Sequence, residues 1–132
     1  MPHDHDSPPV FLPATDATEE QVALLVRRFY DAARADALLG PVFEAHVADW
    51  PHHFELLQDF WSHLLRRTGR YQGRPLPKHV ELPVDAKHFA RWLELFSVTA
   101  RDVLDPQAAE FAIDRARRIA DTFRTAIDSR RG

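Results

Sequence analysis

The sequence predicts an all-α, single-domain fold, and three observations carry that reading. Four long stretches place apolar residues at helical spacing, on one face of each. No stretch alternates apolar and polar residues for long enough to make a convincing strand. Each of the four is introduced by a residue type that caps helices, and 132 residues suffice for one core but not for two.

Residues 1–15 carry four prolines, several acids and no periodicity, so they read as a loose arm ahead of a folded domain spanning 16–132. The first helix begins near Thr18. Thr18-Glu19-Glu20-Gln21 fits a capping box, and Val22, Leu25, Val26, Phe29, Tyr30 and Ala33 share one face. Tyr30 lies within that stripe, so its hydroxyl needs an internal partner. Residues 36–43 read as a short helical turn, a stop at Gly40 and a restart at Pro41. The second long helix follows Asp49, tolerates Pro51 in its first turn and closes at Arg66, Arg67 and Gly69. Its stripe is Trp50, His53, Phe54, Leu57, Phe60, Trp61, Leu64 and Leu65, which places a histidine among apolar residues.

From Gly69 to Val84 no period appears, and a long irregular stretch inside a small domain usually has a functional reason. Asp85 then caps a helix with Phe89, Trp92, Leu93, Phe96, Ala100 and Val103 on one face. Asp105-Pro106 starts the last helix, which turns Ala112, Ala116, Ile119, Ala120, Phe123 and Ile127 inward and its arginines outward. Helices of this length joined by mostly short connections pack as crossed pairs around one core.

Composition removes several classes of function. A formal charge of −3 leaves no basic footprint for nucleic acid, and no apolar run approaches a membrane span. The polar, acidic start Met1-Pro2-His3-Asp4-His5-Asp6 does not resemble a secretion signal, so the expected location is the cytoplasm. With no cysteine there are no disulfides, thiolate metal sites, iron–sulfur clusters or catalytic thiols. Eight histidines remain, so imidazole is the expected ligand for any metal, although no His-Glu-x-x-His motif is present.

His79 stands out by position. It lies in the proline-punctuated run Leu76-Pro77-Lys78-His79-Val80-Glu81-Leu82-Pro83, between two amphipathic helices. Tyr30, His53 and Trp92, from three different helices, each bring a polar atom into an apolar stripe. An iron porphyrin needs one strong axial ligand, an apolar slot and a polar group or two on the far side. His79 would supply the first, Phe43, Leu57, Leu82, Phe89, Leu93 and Phe96 the second, and Tyr30, His53 and Trp92 the third. On the residues alone, His79 reads first as a surface-loop histidine, and Tyr30 and Trp92 as core aromatics with satisfied polar tips. His52 competes with His53 for the inward position. His88 is a rival metal ligand one turn before Trp92, and His46 and His63 read as surface or satisfied histidines.

The ordered blocks add a further observation. Phe29-Tyr30, Leu39-Gly40-Pro41-Val42-Phe43, Trp50-Pro51-His52-His53 with Asp59-Phe60-Trp61, Tyr71-Gln72-Gly73-Arg74-Pro75-Leu76-Pro77-Lys78-His79 and Phe89-Ala90-Arg91-Trp92-Leu93-Glu94-Leu95-Phe96 occur in sequence. Together they resemble the truncated haemoglobins, and within them the group III branch, from about residue 18 to 127. The few glycines, none of them paired, fit that branch.

The resemblance implies a truncated globin two-over-two helical sandwich holding haem b (iron protoporphyrin IX). The haem is non-covalent, since no Cys-x-x-Cys-His attachment site exists. It makes His79 the proximal ligand of a pentacoordinate iron and puts Tyr30, His53 and Trp92 on the distal side. His53 then acts as a gate or as a sixth ligand. Arg70, Arg74 and Lys78 are candidate partners for the haem propionates, or else a solvated basic loop. Pro51, two residues before His53, is a departure that could shift the distal histidine. The implied ligands are dioxygen, nitric oxide and carbon monoxide. Three distal donors point to tight retention, with nitric oxide dioxygenase or peroxidase-like chemistry fed by a separate reductase, because no flavin or nicotinamide fingerprint is present. An oxygen carrier, a gas sensor and a haem-free helical interaction module are the other readings.

Overall fold

The computed structural model describes residues 14–69 and 84–131. Five helices and no strand occur among the described residues: α1 (Glu19–Ala35), α2 (Gly40–His46), α3 (Trp50–Arg66), α4 (Ala86–Val103) and α5 (Pro106–Arg131). The four long helices form two pairs. α1 packs on α3 and α4 packs on α5, while α1 also crosses α4 and α3 meets α5. These are the crossed pairs expected of the stripes, in the two-over-two arrangement that the resemblance implies.

The helix starts follow from local chemistry. Thr18 Oγ1 accepts from the Gln21 N–H at 3.1 Å while Gln21 Oε1 accepts from the Thr18 N–H at 2.9 Å, closing the capping box. Asp49 accepts from the His52 N–H at 3.1 Å, and Pro51 falls in the first turn, where no intrahelical donor is required. α3 therefore runs unbroken through the proline. Asp85 caps α4 in a second capping box, with His88 in the reciprocal place: His88 Nδ1 accepts from the Asp85 N–H at 3.2 Å. Arg67, at φ 56°, closes α3 in the left-handed region.

Two boundaries differ from the sequence reading. Gly40 opens α2 and does not stop a helix. α1 ends one turn earlier at the Asp36 cap, where Asp36 Oδ2 accepts from the N–H groups of Leu38 and Leu39 at 3.0 Å each. A side chain at position 40 would meet the Arg34 carbonyl oxygen at 2.5 Å, so only glycine lets α2 fold back so closely onto α1. Thr15, assigned to the arm, belongs to the domain. It is buried, and its N–H and Oγ1 both donate to the Leu65 carbonyl, at 3.0 and 3.2 Å. The rest of the proposed arm, residues 1–13, lies outside the described residues.

The core is built from Val22, Leu25, Val26, Phe29 and Ala33 of α1, Trp61 and Leu65 of α3, Phe96 and Ala100 of α4, and Ala109, Ala112, Ile113 and Ala116 of α5. The alanines of α5 let its axis approach α4 closely. Each large side chain fully buried here contributes roughly 1.5–3 kcal/mol. A polar knot joins the start of α1 to the end of α3. Glu19 accepts from Ser62 Oγ at 2.8 Å and from Gln58 Nε2 at 2.9 Å, and Arg66 Nη1 donates to the Ala17 carbonyl at 2.7 Å. The knot fixes the end of α3, and so the direction in which its opposite end projects.

Candidate functional site

Tyr30 is the centre of the candidate site. Its position in the α1 stripe buries it, at 6% exposure. Five rings surround it: Phe29 at 4.7 Å, Phe43 at 5.4 Å, His53 at 5.5 Å, Trp50 at 6.2 Å and Phe54 at 6.3 Å between centroids. Burial pushes its phenol well above the usual value, against a smaller opposing effect from the hydrogen bond with Trp92. The Trp92 indole, whose N–H can only donate, lies beside the Tyr30 hydroxyl. The phenol stays neutral throughout the physiological range and keeps its own proton to donate.

Trp92 is held from behind. Its ring stacks on Phe96 at 5.7 Å and 15°, Phe96 stacks on Trp61 at 4.7 Å and 24°, and Phe29 meets Trp92 edge-on at 5.7 Å. The next residue back, Arg91, ties α4 to the α1–α2 corner, since its Nε donates to Asp36 Oδ1 at 2.7 Å. That hydrogen bond, reinforced by the Leu39 and Leu38 N–H groups, holds the Asp36 carboxyl below the usual carboxylate range.

α3 contributes a row that is apolar but only half-buried: Phe54, Leu57, Phe60 and Leu64, with His53 at its beginning. Phe89, Trp92 and Leu93 of α4 are half-buried as well. Towards its far end the α3 row meets α5 across a cleft of about 400 Å³, lined by Phe60, Leu64, Ile119 and Phe123, with Arg115, Arg118 and Thr122 beside them. The arrangement is an apolar surface with a cluster of proton donors at one end.

No family model matches the chain. A search of curated proteins found the group 3 truncated hemoglobin ctb of Campylobacter jejuni, 32% identical over 114 residues, which cover 83% of this chain and 90% of the relative. A crystal structure of group III truncated hemoglobin from the same organism superposes with a TM-score of 0.77 at 32% identity, covering 84% of this chain and 91% of that one. The chain belongs to the group III truncated haemoglobins. It is therefore a globin-type protein of the haem-ligand-binding kind.

The described residues of this truncated haemoglobin suit a haem. A flat, largely apolar ring needs half-buried apolar side chains, and a small ligand on its iron needs a donor beside it. Leu57, Phe60, Leu64, Phe89 and Leu93 have the first character, and Tyr30 with Trp92 the second. Phe43 is half-buried against Tyr30 and Trp50. Phe96 is 1% exposed and backs Trp92 as part of the core. His53 turns inward between Tyr30 and Trp50, while His52 is exposed near Glu55, so the helix phase separates the two neighbours. His88 commits its Nδ1 to the capping box. His46 is exposed, with its Nδ1 2.8 Å from the Val42 carbonyl. His63 is half-buried, and its Nδ1 has no hydrogen-bond partner among the described residues.

His79, Leu82, Arg70, Arg74 and Lys78 lie outside the described residues. No group of three or more metal-ligating side chains occurs among the described residues. Nor is any described helix long and apolar enough to cross a membrane. Sequence reasoning passed over Ile119 and Phe123 as ordinary core positions. Their place at the edge of the α5 stripe was the available signal, because edge positions are the ones a neighbouring cleft exposes.

Proposed function

We propose that the protein binds haem b non-covalently through His79 as the proximal ligand of a pentacoordinate iron, and that it takes up dioxygen, nitric oxide and carbon monoxide. When bound, the haem supplies an open coordination position at which a diatomic ligand gains electron density. The observation that carries the reading is the buried Tyr30 phenol, with the half-buried Trp92 indole beside it, at one end of a half-buried apolar surface.

The roles of the chain's own groups follow from that pair. Leu57, Phe60, Leu64, Phe89 and Leu93 exclude water from the slot, which strengthens every polar contact inside it. Tyr30 keeps its proton because burial disfavours the phenolate. Beside the Trp92 indole, the Tyr30 O–H can donate to an acceptor in the slot, and a partly negative ligand is a suitable one. His53, edge-on to Tyr30, stands where it can admit or block that ligand. Arg74 and Lys78 are the proposed partners of the propionates.

Donors of this kind slow ligand escape, which favours oxidative turnover over delivery. The reaction class is nitric oxide dioxygenation, in which nitric oxide and dioxygen combine to nitrate, or a weak peroxidase reaction. The first needs one electron per turnover from a separate reductase, and the second takes two from the reducing substrate it oxidises. The test is the dioxygen dissociation rate in stopped flow. Tyr30→Phe should raise it by roughly tenfold or more, the equivalent of losing one hydrogen bond to a charged group. Trp92→Leu should raise it as well. Rates unchanged in both variants would contradict the proposal.

A further inference from the structure

Trp50 is the first residue of α3 and forms the outer wall beside His53. The imidazole meets two rings with matching geometry, and those rings lie 6.2 Å from each other, so the three form a triangle. Trp50 lies 5.4 Å away at 89°, and Tyr30 5.5 Å away at 88°. Trp50 is itself held from outside. The guanidinium of Arg34 sits over its ring, 4.1 Å from the centroid, and Arg34 Nε donates to Glu44 Oε1 at 3.0 Å. Arg34 comes from the last turn of α1 and Glu44 from α2, so three helices converge on one indole.

An edge-to-face ring pair favours one mutual orientation, and an imidazole packed edge-on against two rings that touch each other is hard to turn. A planar guanidinium stacked on the outer face and fixed by a carboxylate keeps the indole from swinging outward. We propose that Trp50, clamped by Arg34 and Glu44, is a positioning residue for His53: it holds the imidazole against Tyr30 and thereby slows the entry of small ligands. The inference rests on the haem reading above and adds to it the element that sets the position of the gate.

The test uses carbon monoxide as the probe, recombining with the reduced, haem-loaded full chain after flash photolysis. Trp50→Leu should accelerate entry most. Arg34→Met should accelerate it about two- to fivefold, the strength of an exposed cation–π contact, with Arg34→Lys between it and the wild type. Glu44→Gln should act least. In a His53→Leu background the Trp50→Leu acceleration should vanish, because a residue acting through His53 has nothing left to position. The haem-free protein offers a second readout, the proton resonances of the His53 ring, which the Trp50 ring current displaces. Arg34→Met should move them towards ordinary values.

Equal acceleration in the His53→Leu background would make Trp50 a packing residue only and overturn the proposal. Unchanged entry rates in Trp50→Leu would do the same, as would His53 resonances unmoved in Arg34→Met. A wild-type chain that takes up no haemin overturns the haem reading, and with it the role in ligand entry, even if the resonances shift.

Discussion

Helices α1 and α3 are both 17 residues long and both carry an apolar stripe, yet they end in different environments. α1 buries Val22, Leu25, Val26, Phe29, Tyr30 and Ala33 along its whole length. α3 buries only Trp61, Ser62 and Leu65, all towards its C-terminal end. Its first three turns leave His53, Phe54, Leu57 and Phe60 half-buried. A stripe that other helices close over supplies stability. A stripe of similar chemistry left partly open is available to a ligand, and here it begins beside the buried Tyr30 phenol.

The contrast predicts unequal costs for equal truncations. Phe29→Ala removes a ring at 1% exposure that touches Tyr30, Trp92 and Phe96, and should cost the haem-free protein about 3–5 kcal/mol in urea unfolding. Leu57→Ala, on the open row, should cost about 1–2 kcal/mol in the same assay, in proportion to its partial burial, while weakening haem retention. Similar losses at both positions would erase the distinction between closed and open stripes.

A second pair of positions sharpens the comparison at the end where α3 does close. Glu19→Ala leaves the fully buried Ser62 hydroxyl without its 2.8 Å acceptor and should cost about 1–3 kcal/mol. Thr18→Ala, which opens the α1 capping box alone, should cost about 1 kcal/mol. Neither should alter ligand binding, because the knot stands at the opposite end of α3 from His53.

The smallest expected effect depends on pH. The Asp36 carboxyl is held below its usual range, first by Arg91 and then by the Leu39 and Leu38 N–H groups. The folded state therefore takes up its proton at lower pH than the unfolded chain does. The stabilisation is fully present above the ordinary carboxylate value of about 4 and is lost as pH falls through the lower folded value. Asp36→Asn should therefore lower stability at neutral pH and flatten the acid limb, so that the two proteins converge as pH falls. An acid limb identical to wild type would show that the Arg91 contact does not form in solution.

Much of this was legible in the sequence wherever the determinant was local. The Thr18–Gln21 capping box and the Asp49 cap follow from spacing within a turn or two, whereas the choice between His52 and His53 stays open until the phase of α3 is seen. What the sequence concealed depends on distant backbone or on packing order. Gly40 reads as a stop until the Arg34 carbonyl is seen 2.5 Å from where a side chain would sit. Thr15 reads as arm until its bonds to Leu65, fifty residues away, are known. Phe96 reads as a slot residue until it is found stacked between Trp61 and Trp92. The Arg34–Trp50 contact joins two helices, and no spacing rule within either helix announces it.

The most direct test of the haem reading is an absorption spectrum of the purified protein, ferric, reduced, and reduced under carbon monoxide, beside His79→Ala. The account predicts a strong haem band that shifts with carbon monoxide in the wild type, and one that weakens or changes its ligation in the variant. No haem band in the wild type, even after haemin is added, would contradict it.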